Sequence, residues 1–563
     1  MIFVVLLLSH AVHQGSSCLP IEIFKNKKLM VSKNKIFSKL LSLIQEKNNN
    51  WFHSILTSIF CSYGAQKTPL VLDRKNIYLY KYWYLENEVI EFIYRKGLKY
   101  QAENFIKYKK LFEKYCPEKI DIHQKLAIKN ALLRNIFFII GGPGTGKTYI
   151  LTYLILILIK AEKKKINIKL TATTGKAAIK LTQSIYLILK KKLVGKKEKL
   201  SFPKTGTTLH QLFNIKKDER PGHDNNQEKY KKIDVLIVDE SSMIDLNLMS
   251  VIATRIALKT KVIFVGDIHQ LPSIEVGSVL QELCDHKPDF EKKKKWKKNI
   301  AVLTKKYRFK KNSGINTLIQ DIENEKYKNI YKIYKNKFTD IIWREVTNEK
   351  TYWQMIKEMQ KYYERYRHIL NINSTPKQII QTFNKYRILC AVKDGNFGIK
   401  KINKHLDKYF INKQIEESQK PNHYSQKNTW YHGKPILIKK NNISLKIMNG
   451  DIGICLLVRK KIKVFFILPD ETVGIIDPRA LINYETAWSM TIHKSQGSEF
   501  SSIKILIPNY SSQIISKELF YTAITRARKK ITIYCNIDII KLIIRNKKKR
   551  YSGLYQKLIS LKI

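Results

Sequence analysis

The stretch Gly141-Gly142-Pro143-Gly144-Thr145-Gly146-Lys147-Thr148 decides how this chain folds. It fits the pattern G-x4-G-K-[ST]. It follows the apolar run RNIFFII (134–140) and opens the run KTYILTYLILILI (147–159). A strand that breaks at glycines and restarts as a helix turns backbone N–H groups inward. Together with the helix N-terminus they cradle phosphate oxygens. Lys147 suits the β- and γ-phosphates of ATP, and the Thr148 hydroxyl suits Mg²⁺.

Working outward, INIKLTA (166–172), DVLIVDE (234–240) and KVIFVGD (261–267) are short apolar runs that end in polar residues. Strands of this kind alternating with helices predict an α/β fold with a parallel sheet, its functional groups at the C-terminal strand ends. Asp239 at such a tip can hold Mg²⁺ through water, and Glu240 can orient and deprotonate the attacking water. Gln270, just after Gly266-Asp267, can hydrogen-bond a γ-phosphate and report on its hydrolysis. No NKxD-like base-reading segment is present, which argues against a GTPase.

The 563 residues carry 104 Lys+Arg against 46 Asp+Glu, a formal charge of +58, and 44% hydrophobic residues. That apolar content excludes a wholly disordered chain, and the length predicts three or four domains. The charge points to a polyanion, nucleic acid first and an anionic membrane surface second. Any single Lys run reads equally well as solvated surface. Only 16 of the basic residues are Arg, so each Arg tells more. Arg308 lies in LTKKYRF, and Arg526 and Arg528 lie in YTAITRARKK. A planar guanidinium suits a γ-phosphate in the transition state, supplied from a second lobe that closes on the first.

Two further segments are candidate nucleic-acid contacts. They are Thr173-Thr174-Gly175-Lys176 after a first-lobe strand and Thr491-Ile492-His493-Lys494-Ser495-Gln496-Gly497 further on. Hydroxyls and backbone N–H groups at strand tips fix phosphates in register. His493 reads better as such a contact than as a catalytic base, because no nucleophile pairs with it. Trp430 and Trp488 read either as base-stacking surfaces or as core.

The seven cysteines form no CxxC pair, so neither a zinc site nor a disulfide framework is indicated, and reduced thiols in the cytoplasm fit. MIFVVLLLSHAVHQGSSC imitates a secretion signal but lacks a basic n-region, and no apolar stretch is long enough to span a bilayer. The domain expectation is a mainly helical docking unit over 1–110 and a first motor lobe over 111–298, ending in the linker-like EKKKKWKK (291–298). A second lobe follows over 299–429 and 485–563, with a small β-barrel inserted at 430–484.

Taken together, LTATTGKAAIKL, DVLIVDESSMID, VGDIHQLPSIEVGSVL, YRFKKNSGI, ILCAVKDGNFGI, WYHGKPILI, NGDIGI, ETAWSMTIHKSQGSEF and YTAITRARKK resemble superfamily 1 helicases. Within that class they resemble the D-subunit (alpha-chain) family of bacterial exodeoxyribonuclease V, the RecBCD enzyme. The opening LLLSHAV…CLPIE enters that family's N-terminal pattern partway in. The resemblance implies two RecA-like lobes with parallel sheets, an SH3-like inserted barrel, ATP-driven 5′→3′ movement on single-stranded DNA, and assembly with the beta and gamma chains as a heterotrimer. That complex unwinds and degrades duplex ends in double-strand break repair. The resemblance also implies that Gln124 contacts adenine. It assigns ATPase roles to Lys147, Thr148, Asp239, Glu240, Gln270, Arg308 and Arg526, and DNA-track roles to Thr173, Lys176, Thr491, His493 and Ser495. Nuclease activity would belong to the assembly. The competing expectations are a stand-alone helicase of the same class and a scaffold subunit with a lapsed motor.

Overall fold

The computed structural model describes residues 2–25, 55, 57–97, 104–190, 192, 195–203, 205–215, 230–284, 294–310, 312–335, 338–372, 374–418, 430–442, 444–510, 514–545 and 549–561. In the N-terminal part, β1 (Cys18–Pro20), β2 (Cys61–Ser62), β3 (Leu70–Asp73) and β4 (Asn76–Leu79) form a sheet in the order β1-β4-β3-β2. The helix Ile2–His13 buries Val4, Leu8 and Ala11 against Leu19, Leu70 and Ile77. The apolar opening run is therefore part of a packed core. A helical reading of 1–110 passes over this small sheet because its strands are only two to four residues long.

The first lobe is built on β5 (Ile136–Gly141), β6 (Ile168–Ala172), β7 (Thr207–Thr208), β8 (Val235–Asp239), β9 (Lys261–Gly266) and β10 (Ile300–Leu303). All pairings are parallel, in the order β10-β5-β9-β8-β6-β7. Both faces are covered, so β5 is apolar without alternation. Phe137 and Ile139 join the core under the helices Ile122–Leu133 and Lys147–Ala161. Ile136, Phe138 and Ile140 join the opposite core with the helices Tyr80–Gly97 and Leu246–Arg255.

Two corrections to the expected boundaries arise here. The described part of the lysine-rich segment, 294–298, is not a free linker: Trp296 is buried at 1% exposure, its indole N–H donates to the Leu283 carbonyl at 3.0 Å, and its ring meets Phe138. Ile300–Leu303, assigned by sequence to the second lobe, is the edge strand β10 of the first-lobe sheet, with Leu303 opposite Gly141.

The second lobe has β11 (Ile341–Arg344) and β12 (Tyr386–Cys390). The chain then leaves it for an antiparallel unit of β13 (Pro435–Ile438), β14 (Ile452–Val458), β15 (Lys461–Ile467), β16 (Val473–Ile476) and β17 (Tyr484–Thr486). It returns as β18 (Ser489–Thr491), β19 (Phe500–Leu506) and β20 (Ala527–Tyr534). The second-lobe sheet is again parallel, in the order β11-β20-β19-β12-β18. Trp488, at the return, is core and not a base-stacking platform. It is fully buried, stacked on Phe410 at 4.1 Å, with its indole N–H donating to Asp407 at 2.8 Å. Trp430 pairs with Tyr484 against the barrel core.

The end of the chain departs from the expected second lobe. The helix Leu554–Ser560 packs on the first lobe through Leu554 and Leu558. Arg550 donates to the carbonyls of Ser273, Glu275 and Gly277. Lys557 sits between Asp73 and the fully buried Glu86. These residues, expected in the second lobe, are desolvated and paired against the N-terminal part and the first lobe.

Candidate nucleotide cleft and nucleic-acid track

The order β10-β5-β9-β8-β6 converts scattered sequence positions into one row along the C-terminal edge of the first sheet. After β10 comes Arg308, after β5 the glycine-rich loop, after β9 Asp267 and Gln270, at the tip of β8 Asp239 and Glu240, and after β6 Thr173 and Lys176. At the usual strand spacing this row covers ~20 Å.

The loop turns at Gly144 (φ 76°) and Gly146 (φ 87°), left-handed positions where a Cβ would be strained. Gly146 caps the helix Lys147–Ala161, whose Ile150–Ile159 are all buried, so the phosphate-facing helix end is held rigidly. Lys147 Nζ donates to the carbonyls of Gly141 (2.6 Å) and Gly142 (3.1 Å). Gln124, buried on the helix capped by Asp121, donates to the Thr145 carbonyl at 2.8 Å. The structure thus brings Gln124, Lys147 and the loop together.

At the tip of β8 the Glu240 N–H donates to Asp239 Oδ1 at 2.9 Å, and Glu240 itself takes φ 51°. A non-glycine residue held there is strained, a feature concentrated at functional sites. Burial first, and then the Glu240 charge, push the Asp239 carboxyl above its ordinary range, with Lys147 opposing. The Thr148 hydroxyl and the Asp239 carboxylate offer only hard oxygen donors, which suits a divalent cation such as Mg²⁺ held jointly with phosphates. Among the described residues no group of three or more His, Cys, Asp or Glu forms a protein-only metal site.

The segment that leads from β10 toward the second lobe lies over this edge. The Tyr307 N–H donates to the Gly144 carbonyl at 2.8 Å, and a Cβ on Gly144 would stand 2.4 Å from Arg308 Cβ. Arg308 Nη2 reaches Glu499 Oε1 at 2.5 Å, while its buried Nη1 has no hydrogen-bond partner. Arg526 is buried and turns its guanidinium to its own lobe: Nε to Thr522 O, Nη1 to Ser498 O, Nη2 to Thr525 Oγ1. Glu499, which the sequence reading did not single out, also meets Arg528 (2.7 Å) and Lys180 of the first lobe (3.5 Å). Burial would raise its carboxyl, but Lys180, Arg308 and Arg528 together outweigh that and hold it well below the usual range. Its signal in sequence was a carboxylate directly after SQGS in a chain with few acids.

The loop after β9 is held from the second lobe as well. Gln270 Nε2 donates to Asp267 Oδ2 at 3.1 Å, leaving Gln270 Oε1 buried and without a partner. The Tyr521 hydroxyl lies 3.0 Å from that same Asp267 oxygen and 3.0 Å from Glu323 Oε1.

The expected nucleic-acid residues form two facing groups. Thr174 caps the helix Gly175–Leu189, and Thr173 Oγ1 donates to Met243 Sδ. Half-buried Lys176 is pushed down to about 8 by burial, with Asp451 of the barrel opposing. On the other lobe Thr491 ends β18, and His493–Ser495 form a tight turn in which Ser495 Oγ donates to Ile492 O. The lobes meet where a Cβ on Gly497 (φ 72°) would lie 3.2 Å from Ala177 and 3.5 Å from Thr174 Oγ1. The barrel leans onto the same helix, with Met448 Sδ 2.5 Å from a Cβ on Gly175.

Two parallel-sheet lobes with a glycine-rich phosphate loop at their junction define a P-loop motor of the helicase class. The family described as AAA domain matches residues 124–276, the UvrD-like helicase C-terminal domain matches 486–534, and the N-terminal domain of RecBCD enzyme subunit RecD matches 1–78. The chain is 38% identical to RecBCD enzyme subunit RecD of Buchnera aphidicola subsp. Acyrthosiphon pisum, over 94% of this chain and 91% of that protein. It is 31% identical to RecBCD enzyme subunit RecD of Haemophilus influenzae, over 87% and 81%. The chain belongs to the RecD family of RecBCD enzyme subunits. Among solved structures it overlaps the Pif1 helicase from Candida albicans at TM-score 0.40 and 16% identity, over 75% of this chain and 95% of that one.

Proposed function

We propose that this chain is the ATP-driven 5′→3′ DNA motor of a RecBCD-type exodeoxyribonuclease, assembled with beta and gamma chains and acting on duplex ends in double-strand break repair and homologous recombination. The observation that carries the reading is the junction at which the loop 141–148 and Gln270 of the first lobe, with Arg308 on the segment leading out of β10, meet Tyr521 and Glu499 of the second lobe. Loop N–H groups bind the phosphates, and Lys147 exchanges its two loop carbonyls for phosphate oxygens. Glu240 orients and deprotonates water, Arg308 offers its free Nη1 to the developing charge, and Gln270 presents Oε1. Thr148 and Asp239 would hold a Mg²⁺ that offsets phosphate charge when bound. Thr173, Lys176, Thr491, His493 and Ser495 hold the strand, so that cleft closure during hydrolysis shifts one lobe along it.

Intact Lys147, Asp239 and Glu240 favour this over a lapsed scaffold. Among the described residues no helix is long and apolar enough to cross a membrane. The test is unwinding of duplexes with a 5′ or a 3′ single-stranded tail, by the chain alone and with its partner chains. Unwinding from 5′ tails only, lost in Lys147→Ala, is expected. Unwinding from 3′ tails only would overturn the polarity, and ATP turnover equal in wild type and Lys147→Ala would overturn the motor. Co-purification with two larger chains separates the subunit from a stand-alone helicase.

A further inference from the structure

Tyr521 stands on the second-lobe helix Lys517–Thr525, capped at its start by Ser516, and is buried at 1% exposure. Its hydroxyl faces two carboxylates at equal distance, Asp267 of the first lobe and Glu323 at the end of the second-lobe helix Gly314–Glu323. One hydroxyl carries one proton, so it donates to only one of them at a time. Burial first, then Asp267 and Glu323, hold the phenol far above its ordinary range, so the proton stays on the ring oxygen. Lys306 engages both oxygens of Glu323 at 3.1 and 3.0 Å, which makes Glu323 the already satisfied acceptor. Asp267 Oδ2 in turn receives the Gln270 amide and so fixes which way that amide points. A Cβ on Gly142 of the phosphate loop would lie 3.2 Å from the Tyr521 oxygen, so the network sits directly over the nucleotide site. Two more bonds hold the loop after β9, which carries Asp267 and Gln270, to the second lobe: Leu271 N–H to Thr522 Oγ1 at 2.9 Å, and Gln496 Nε2 to Leu271 O at 3.2 Å.

Resting on the motor reading above, we infer that Tyr521 is a positioning residue: its hydroxyl ties the second lobe to Asp267, and through Asp267 sets the orientation of Gln270 toward the γ-phosphate. With the lobes closed, the hydroxyl donates to Asp267 and Gln270 is ordered. With the lobes parted, it falls back to Glu323, and Gln270 loses its fixed amide. Hydrolysis is thereby made conditional on the lobe arrangement that the bound strand favours.

The experiment measures ATP turnover with single-stranded DNA in the full chain assembled with its partner chains. It compares wild type, Tyr521→Phe, Gln270→Ala, the double variant and Lys147→Ala. Tyr521→Phe removes one oxygen and keeps the ring packed, so folding should be preserved, and a thermal unfolding midpoint checks this. The expected result is about a tenfold lower kcat with KM for ATP and DNA affinity each within about twofold of wild type. The hydroxyl should have no further effect once Gln270 is Ala, because the two act as a unit. Additive losses in the double variant, an unchanged kcat, or a rise in KM alone would overturn the inference while leaving the motor intact. A wild-type rate no higher than that of Lys147→Ala would instead sink the motor reading and this inference with it.

Discussion

Arg308 and Glu499 lie nearly two hundred positions apart in sequence, yet Nη2 of the one meets Oε1 of the other at 2.5 Å beside the phosphate loop. Glu499 also receives Arg528 and faces Lys180 across the lobe junction, so one carboxylate holds three cations, each of which would otherwise repel the others. The arrangement leaves Arg308 with one engaged and one unpartnered arm.

Glu499→Gln should destabilise the protein by about 1–3 kcal/mol at neutral pH, because it leaves partly desolvated guanidinium groups without a counter-charge. The carboxyl is depressed in the folded state, so its contribution is complete above the unfolded value of 4.5 and fades as pH falls below it. Urea unfolding at pH 7 and at successive steps toward pH 4 should show the wild type losing its advantage over Glu499→Gln only at the acid end. A gap that is constant with pH, or absent at neutral pH, contradicts the assignment.

Gln270 has a fixed amide nitrogen and a free, buried oxygen. Gln270→Ala should lower kcat for ATP about 10²-fold and change nucleotide affinity little, since the missing group acts on the reacting phosphate. Equilibrium binding of a fluorescent ATP analogue, set against single-turnover hydrolysis, separates the two. Weakened binding with unimpaired chemistry would make Gln270 a ground-state contact only.

Lys176 sits at the start of a capped helix, with the Asp451 carboxylate opposing the effect of its burial. If it holds a DNA phosphate, Lys176→Ala weakens single-strand binding uniformly across sequences and reduces the slope of log K against log salt by about 0.7. An unchanged slope would mean that Lys176 pairs with Asp451 to seat the barrel and does not touch the strand.

The phosphate loop and the strand-tip residues were legible because their chemistry is local: glycines, a lysine and a threonine at fixed spacing, and polar residues where apolar runs end. The parallel sheets were legible for the same reason. What failed to show is non-local. EKKKKWKK reads as solvated until Trp296 is seen inserted beside Phe138. Trp488 could be a stacking platform in sequence, whereas its ring is sealed by Phe410, Tyr363 and Phe383. Glu499 gains its meaning only from cations contributed by three distant segments. Glu86 looks like any surface glutamate, and is buried only because Ser17, Ser552 and the Gly553 N–H converge on it.

Lys96 and Lys261 are invisible in a lysine-rich sequence for a similar reason, and they give the sharpest pH prediction. Both are buried beneath the first lobe, with no carboxylate among their hydrogen-bond acceptors. Lys96 donates to the carbonyls of Ala257, Leu258 and Thr260, and Lys261 to those of Ala131, Leu132 and Arg134. Burial pushes each down to about 7, helped at Lys261 by the charges of Lys96 and Arg134. The unfolded chain, with ordinary lysines near 10.5, therefore binds more protons than the folded one between pH 7 and 10.5. Each of these lysines therefore contributes a gain in stability as pH rises above 7, up to about 1.4 kcal/mol per pH unit, and that gain is absent below pH 7. Lys96→Met should remove that residue's share of the rise, so that the slope between pH 7.5 and 9 falls, while lowering stability overall, because three carbonyls lose their donor. Urea midpoints of both proteins at pH 6, 7.5 and 9 test this. Parallel curves would mean that the three carbonyls keep the buried ammonium charged throughout, and that burial is not the dominant influence on it.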